Sequence, residues 1–427
     1  MNPIVLQNFR IQIGQTDDIG NGHKQQDAAH VIIKPELGCI IFAVADGHGY
    51  ETGHIASNAC IKAVTEYTEA NLEELVGNTV AFLDKCFAHA QLQIRKDFIE
   101  HYTNDNCEVD NVCNVLIKRR LALKPVDAID SVFQTPKESL IDRFNKRFSH
   151  ISGGSMLTIG VLRFSETDAK LYIANVGDCD ALLCTKTPII QQDILKYELD
   201  AATGATVNPE TYEQCAENPQ IVLGLTRDHS PMNPNEYLRA RHFRPSPADS
   251  NRSELLFIYD DTSVSNKHSC ESVFLMTKDG TPTIRDDVNY YHKNVNGERA
   301  TYVTVPGNAG FRDAVASARA MGDFGIASYG VVAKPEIQSI DLNALFKLTD
   351  IACIVAGSDG VWDVWKQDHV SKFVMDPSCL DAIEKDTAIG AQRVAKSFMV
   401  RNRHYAQQHF RGCADNAICV VIYVKPV

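Results

Sequence analysis

Four short apolar runs, each bounded by an aspartate, limit what this chain can fold into. Gly38–Ala45 leads to Asp46, Leu171–Gly177 to Asp178 and Ile351–Ser358 to Asp359, while Asp415-Asn416 opens Ala417–Val424. Runs of this length, rich in Val, Ile and Ala, read as buried strands. One aspartate at a strand end is ordinary turn chemistry. Four of them predict strands whose ends converge in one sheet system and gather their carboxylates at one mouth. Clustered carboxylates repel one another unless cations neutralise them, so the pattern predicts an all-oxygen site for hard divalent metals.

The chain has 427 residues, 44% of them hydrophobic and 22% charged, which suits a globular protein with a large core rather than a disordered one. A net charge of -12 argues against nucleic-acid or anionic-membrane partners, which call for a basic surface. The thirteen cysteines are scattered, several fall inside apolar runs, and none forms a CxxC pair. They read as small hydrophobes rather than zinc or redox ligands. The opening MNPIVLQNFRIQIGQ lacks the basic start and apolar stretch of a signal peptide. No run approaches the roughly eighteen apolar residues of a transmembrane helix. The expectation is a monomer in a reducing compartment, cytoplasmic or nuclear.

Along the chain, Ile40–Ala45 reads as a buried strand ended by the tight turn Asp46-Gly47-His48-Gly49. Helical spacing follows over 53–73 and again over 79–101. Ser155–Arg163 and Ala169–Val176 read as strands joined by a turn at Glu166-Thr167-Asp168. Helices are predicted over Gln367–Met375 and Asp381–Phe410, before the closing strand Ala417–Val424. This order suits an α+β fold, two sheets stacked with helices on the outer faces. Two segments look like additions. Asn104–Ser149 carries the basic stretch Lys118-Arg119-Arg120, and Pro245–Gly310 is rich in Ser, Asn, Asp and Pro. The acidic residues Asp260, Asp261, Asp286 and Asp287 are expected on solvated surface. There is no internal repeat.

Asp46-Gly47-His48-Gly49 places a carboxylate, a glycine carbonyl and an imidazole within three residues of a buried strand, and Gly357-Ser358-Asp359-Gly360 repeats the strand-to-turn setting. Together with Gln26-Asp27-Ala28, Gly154-Ser155, Asn175-Val176-Gly177-Asp178, Leu225-Thr226-Arg227-Asp228-His229-Ser230-Pro231, Ser317-Ala318-Arg319-Ala320-Met321-Gly322-Asp323, Val361-Trp362-Asp363 and Asp415-Asn416, they form an ordered set. That set resembles the metal-dependent protein serine/threonine phosphatases of type 2C. It spans nearly the whole chain, which implies one domain over 1–427 with insertions at about 104–149 and 245–310. The resemblance implies a four-layer αββα sandwich of two antiparallel sheets flanked by helices. It also implies hydrolysis of phosphoserine or phosphothreonine on phosphoprotein substrates by a metal-activated water.

Carried over by position, Asp46 looks like the carboxylate bridging two Mg2+ or Mn2+ ions, with the Gly47 carbonyl on one of them. Asp359 and Asp415 look like ligands of the other, and Asp178 resembles the position that helps hold a third, weaker metal. His48 resembles the general acid that protonates the leaving oxygen. Carboxylates, carbonyls and water suit Mg2+ and Mn2+, whereas zinc would call for more His or Cys. Gln26-Asp27 stands where the family commonly has glutamate followed by aspartate. Asp27 and the Gln26 carbonyl remain able to coordinate, with one negative charge fewer. The family's phosphate-gripping arginine is missing from Asn21-Gly22-His23-Lys24-Gln25. Lys24 is the nearest cation, a point charge without the planar two-bonded grip; Arg10 is another candidate.

Plainer expectations attach to the rest. Trp362 reads as core packing, Asp228 and His229 as turn residues, and Arg319 with Asp323 as a structural ion pair. The insertion 245–310 falls where the family carries a flap, which implies a part in substrate choice. One alternative is a pseudophosphatase, catalytically weak or inactive and serving as a binding scaffold. Another is a two-metal phosphoesterase acting on nucleotides, disfavoured by the acidic balance.

Overall fold

The computed structural model describes residues 4–427 apart from 106, 113, 121–148, 208–217, 228, 244–252, 265, 310 and 387. Two antiparallel sheets carry the fold. A six-stranded sheet runs in the order Ile4–Leu6, Phe9–Asp18, Ala417–Pro426, Ala352–Gly357, Ala181–Ile189, Gln220–Gly224. An eight-stranded sheet runs Ala205–Val207, Leu195–Asp200, Glu336–Asp341, Ala169–Val176, Gly154–Phe164, Cys39–His48, Ala28–Lys34, with Met321–Gly322 paired to Gly154–Phe164.

Side-chain alternation explains the stacking. In Cys39–His48, Ile40, Phe42 and Val44 enter the core between the sheets. Their neighbours Cys39, Ile41, Ala43 and Ala45 face the outer helices Gly53–Ala70 and Thr79–Asn104, against Ala59, Phe82 and Phe87. In Ala352–Gly357, Ile354 and Ala356 point inward while Cys353 and Val355 meet the helix Gly390–Phe410 through Phe398. Period-two alternation with both faces buried yields the continuous apolar runs seen in the sequence. Each buried Ile, Val or Phe contributes roughly 1.5–3 kcal/mol by leaving water. The α+β, αββα arrangement is therefore the one expected.

Three local expectations are corrected. The strand does not end at Ala45: Asp46, Gly47 and His48 stay in register opposite Met156, Ser155 and Gly154, and the chain turns only at Gly49, at φ +107°. The stretch Asp381–Phe410 is not one helix but the end of Pro377–Lys385 and the whole of Gly390–Phe410. The break lets the second helix lie directly on Phe9–Asp18, where a Cβ on Gly14 would stand 2.2 Å from the Ala391 carbonyl oxygen. Asp260 is buried, not solvated; it accepts a 2.5 Å bond from the Tyr291 hydroxyl and pairs with Lys267. Asp286 and Asp287 are exposed, as expected.

The insertion at 245–310 is part of the core. Leu256–Tyr259 pairs with Thr301–Thr304, and Phe274–Met276 with Pro282–Ile284. Phe257, Tyr259, Val273, Phe274, Val303 and Val305 belong to the same contiguous hydrophobic cluster as the inner faces of the two sheets. The other insertion begins with a hairpin, Cys107–Val112 against Val115–Arg120, in which Lys118 pairs with Glu51 at 2.9 Å. Its residues 121–148 lie outside the described ones. Among the described residues no helix is long and apolar enough to cross a membrane.

Candidate active site

Register brings the site together. Met321–Gly322 pairs with Ser155 and Gly154, which also face Gly47 and His48, so Asp323 lands beside His48. The contact His48 Nε2 to Asp323 Oδ2 is 2.6 Å. A Cβ on Gly154 would stand 2.6 Å from Asp323 Oδ2, so glycine there is what admits the carboxylate. Asp323 itself has φ +41°, a left-handed conformation that costs a non-glycine residue about 1–2 kcal/mol. Burial alone would lower the His48 pKa, but Asp323, backed by Asp178 and Asp313, outweighs it and the net direction is up. The neighbouring carboxylate thus favours the protonated imidazole.

Three carboxylates form a hydrogen-bonded row where the sheets meet. Ser358, just past Ala352–Gly357, donates from Oγ to Asp27 Oδ2 at 2.7 Å and accepts from the Ile418 N–H at 3.1 Å. The Asp46 side chain bonds to those of both Asp27 and Asp359, and the Asp359 N–H donates to Asp46 Oδ2 at 3.3 Å. Burial, then mutual repulsion, pushes these groups up, Asp27 to about 8 and Asp46 and Asp359 well above the usual carboxylate range. Among the described residues no three acidic, imidazole or thiol groups already enclose one ion-sized point. The chemistry of the donor set nonetheless fits hard divalent cations: anionic oxygens on rigid strand ends, each disfavoured as a bare charge.

The remaining expected residues lie around this row. Gly47 is pressed against the first turn of Gly53–Ala70, where a Cβ would meet the Gly53 oxygen at 2.1 Å. The Gln26 side-chain amide donates to the Gly49 carbonyl at 3.1 Å, and its backbone N–H donates to Asn416 Oδ1 at 2.9 Å. Asp415 is exposed and accepts from the Asn416 N–H at 2.8 Å. Asp178 faces Lys293. A cavity of about 350 Å³ exposes Asp46, His48, Asp178, Asp313, Asp323 and Asp359, and a larger one of about 770 Å³ adjoins it, sharing Asp178 and Asp359.

Lys24 is not brought to either cavity; it is exposed and donates to His54 Nε2 at 2.6 Å. Arg10 is farther still. It sits opposite Lys425, at the end of Phe9–Asp18 away from the site and roughly 27 Å along the strand from Asp18.

Three participants were not foreseen. Asp363 follows Asp359 by four residues on one helical turn, and that i, i+4 spacing could have revealed it. Burial leads the rise of Asp313 to about 7, with Asp323 adding to it. Lys293 comes from the insertion and had no local signature. The plainer expectations divide. Trp362 is buried and its Nε1 donates to the Gly357 carbonyl at 2.8 Å. His229 Nδ1 accepts from the Gly177 N–H at 3.1 Å, which leaves Nε2 to donate to Glu336, so it fixes the turn before Asp178. Asp228 lies outside the described residues. The Arg319–Asp323 pair does not form: Arg319 bonds Glu236 and Asp200, and Asp323 goes to His48.

The chain is an αββα sandwich with carboxylates and an imidazole gathered at the ends of its strands. The profile of the protein phosphatase 2C family matches residues 83–243 and 299–399, more than half of the chain. The chain belongs to that family and is by that membership a protein-serine/threonine phosphatase. Asp27, Asp46 and Asp415 fall outside the matched stretches. Among solved structures, a serine-threonine phosphatase 2C from Toxoplasma gondii aligns with a TM-score of 0.53 at 14% identity, covering 100% of this chain and 98% of that one. The serine/threonine phosphatase PstP/Ppp of Mycobacterium tuberculosis aligns at 0.38 and 12% identity, covering 96% and 97%. At these identities the first similarity speaks to the fold. No curated protein matches the chain.

Proposed function

We propose that the chain, as a single catalytic domain with two insertions, is a Mg2+- or Mn2+-dependent phosphatase of phosphoserine and phosphothreonine in proteins. The observation that carries this reading is the row Asp27–Asp46–Asp359, of which Asp46 and Asp359 line the same cavity as the His48–Asp323 pair. Asp46, Asp27, Asp359 and Asp415, with the Gly47 carbonyl and Gln26, would hold two ions. Divalent cations bound there supply charge neutralisation at the phosphoryl group and a water of lowered pKa. The chain's own part is to orient and to move one proton. His48, whose protonated form Asp323 favours, donates from its imidazole to the leaving serine or threonine oxygen.

The test is hydrolysis of para-nitrophenyl phosphate and a phosphoserine peptide with Mn2+, Mg2+ or EDTA, by the wild type and by Asp46→Ala and Asp359→Ala. The expected outcome is metal-dependent turnover, lost in both folded variants. Retained turnover in either would overturn the assignment of these carboxylates. One observation favours the scaffold reading: among the described residues, no lysine or arginine lines the 350 Å³ cavity. Metal binding without turnover by the wild type is the result that would select it.

A further inference from the structure

The segment 292–299 of the second insertion is fastened to the back of the carboxylate site. The Val295 N–H donates to the Asp363 carbonyl at 3.0 Å, and the Asn296 side-chain amide donates to the carbonyls of Trp362 and Trp365, each at 3.1 Å. Within the segment, the Lys293 N–H donates to the Glu298 carbonyl at 2.8 Å, and Asn294 Oδ1 accepts from the N–H groups of Asn296 and Glu298 at 3.1 Å. Every one of these bonds fixes the backbone that carries Lys293. Its ammonium stands 3.7 Å from Asp178 Oδ2 and 3.2 Å from Glu298 Oε1, in the cavity that Asp359 and Asp363 also line.

We infer that the Lys293 ammonium is the resident cation of the Asp178 side of the site, taking the place a third divalent ion would otherwise fill. This rests on the metal-dependent reading above and narrows it from two ions with room for a third to two ions and a lysine. The Asp178 and Glu298 carboxylates flank this ammonium, and the carboxylates of Asp359 and Asp363 line the same cavity. A compact ammonium supplies one positive charge and three donors where carboxylates converge. A divalent ion within a few ångströms of it would meet direct repulsion with little water between to screen it. Asp178 thereby becomes a positioning residue for Lys293, and the insertion becomes a covalent part of the site's charge balance.

The test is calorimetric titration of the purified full chain with Mn2+, using the wild type, Lys293→Met, Lys293→Arg and Lys293→Met with Asp178→Asn. Lys293→Met is expected to bind one more Mn2+ than the wild type, more weakly than the others, and adding Asp178→Asn should remove that extra ion. Lys293→Arg should keep the wild-type count. An unchanged count in Lys293→Met overturns the inference. If Lys293→Met shows no cooperative melt, Asp178→Asn alone decides: an unchanged count supports the inference, and one ion fewer overturns it. The absolute wild-type count bears on the two-metal reading, whereas the difference between variants bears on the lysine, so the two can fail separately.

Discussion

At the scale of single residues, the chemistry turns on one imidazole and the group that holds it. His48 leaves its strand still hydrogen-bonded in register, which fixes where its ring can go, and Asp323 meets Nε2 at 2.6 Å from a strained backbone position. Strain of this kind persists where the surroundings over-determine it. A proton donor matters most when the leaving oxygen is a poor leaving group. His48→Ala is therefore expected to slow hydrolysis of a phosphoserine peptide by about 10²–10⁴-fold and para-nitrophenyl phosphate far less. Asp323→Asn should show the same split, more weakly. Equal loss on both substrates, read from steady-state kcat, would assign these residues to structure instead.

At the scale of elements, each outer helical layer lays the start of a helix against a sheet glycine, Gly47 under Gly53–Ala70 and Gly14 under Gly390–Phe410. Ordinarily an alanine replacing a glycine inside a strand gains stability, because glycine loses more backbone freedom on folding. Gly14 reverses that sign. A Cβ there would lie 2.2 Å from the Ala391 oxygen and 2.8 Å from Gln392 Cα, both backbone atoms at the start of Gly390–Phe410. Gly14→Ala is expected to cost about 1–3 kcal/mol, as overpacking does. Urea unfolding would measure it, and a stabilised variant would mean the helix can shift freely. The second insertion is also packed in, with Phe257, Tyr259 and Phe274 in the same hydrophobic cluster as the inner faces of the sheets. The expectation that it takes part in substrate choice is therefore better tested by changing single side chains than by deletion.

At the scale of the whole molecule, two sets of buried charge act on stability in opposite directions. The row Asp27, Asp46 and Asp359 is costly without cations, since each carboxylate is both desolvated and beside another. The Arg319 network is the reverse. Burial would raise the Glu236 pKa, but the Arg319 guanidinium, 2.5 Å away, outweighs it and holds Glu236 below the usual glutamate range; Asp200 is lowered by the same guanidinium against the same burial. A carboxylate whose pKa is depressed by folding stabilises the protein above its unfolded pKa, about 4.5, and stops doing so as pH falls through the lower folded value. Glu236→Gln should cost about 3–5 kcal/mol near neutral pH, the scale of a broken buried pair. The gap from wild type should shrink below about pH 4. Urea midpoints for both proteins from pH 7 to pH 3 would show it, and a gap independent of pH would refute the charge argument.

Much of this protein was determined by its sequence alone. Buried strands announce themselves as continuous apolar runs because both faces are covered, and the aspartates at their ends mark the mouth where Asp27, Asp46 and Asp359 meet. Even Asp363 was within reach, one helical turn from Asp359. Other features needed the tertiary structure. That Asp323 serves His48 rather than Arg319 depends on a strand pairing between residues far apart in the chain, and that Lys24 bonds His54 away from the cavities depends on how a loop closes. Lys293 is the clearest case: a lysine in a polar insertion looks like solvated surface, and only the docking of 292–299 on Trp362 and Asp363 places its charge beside Asp178. Local patterns encode which faces are buried, whereas electrostatic partners are chosen by long-range register and loop closure, which no local pattern carries.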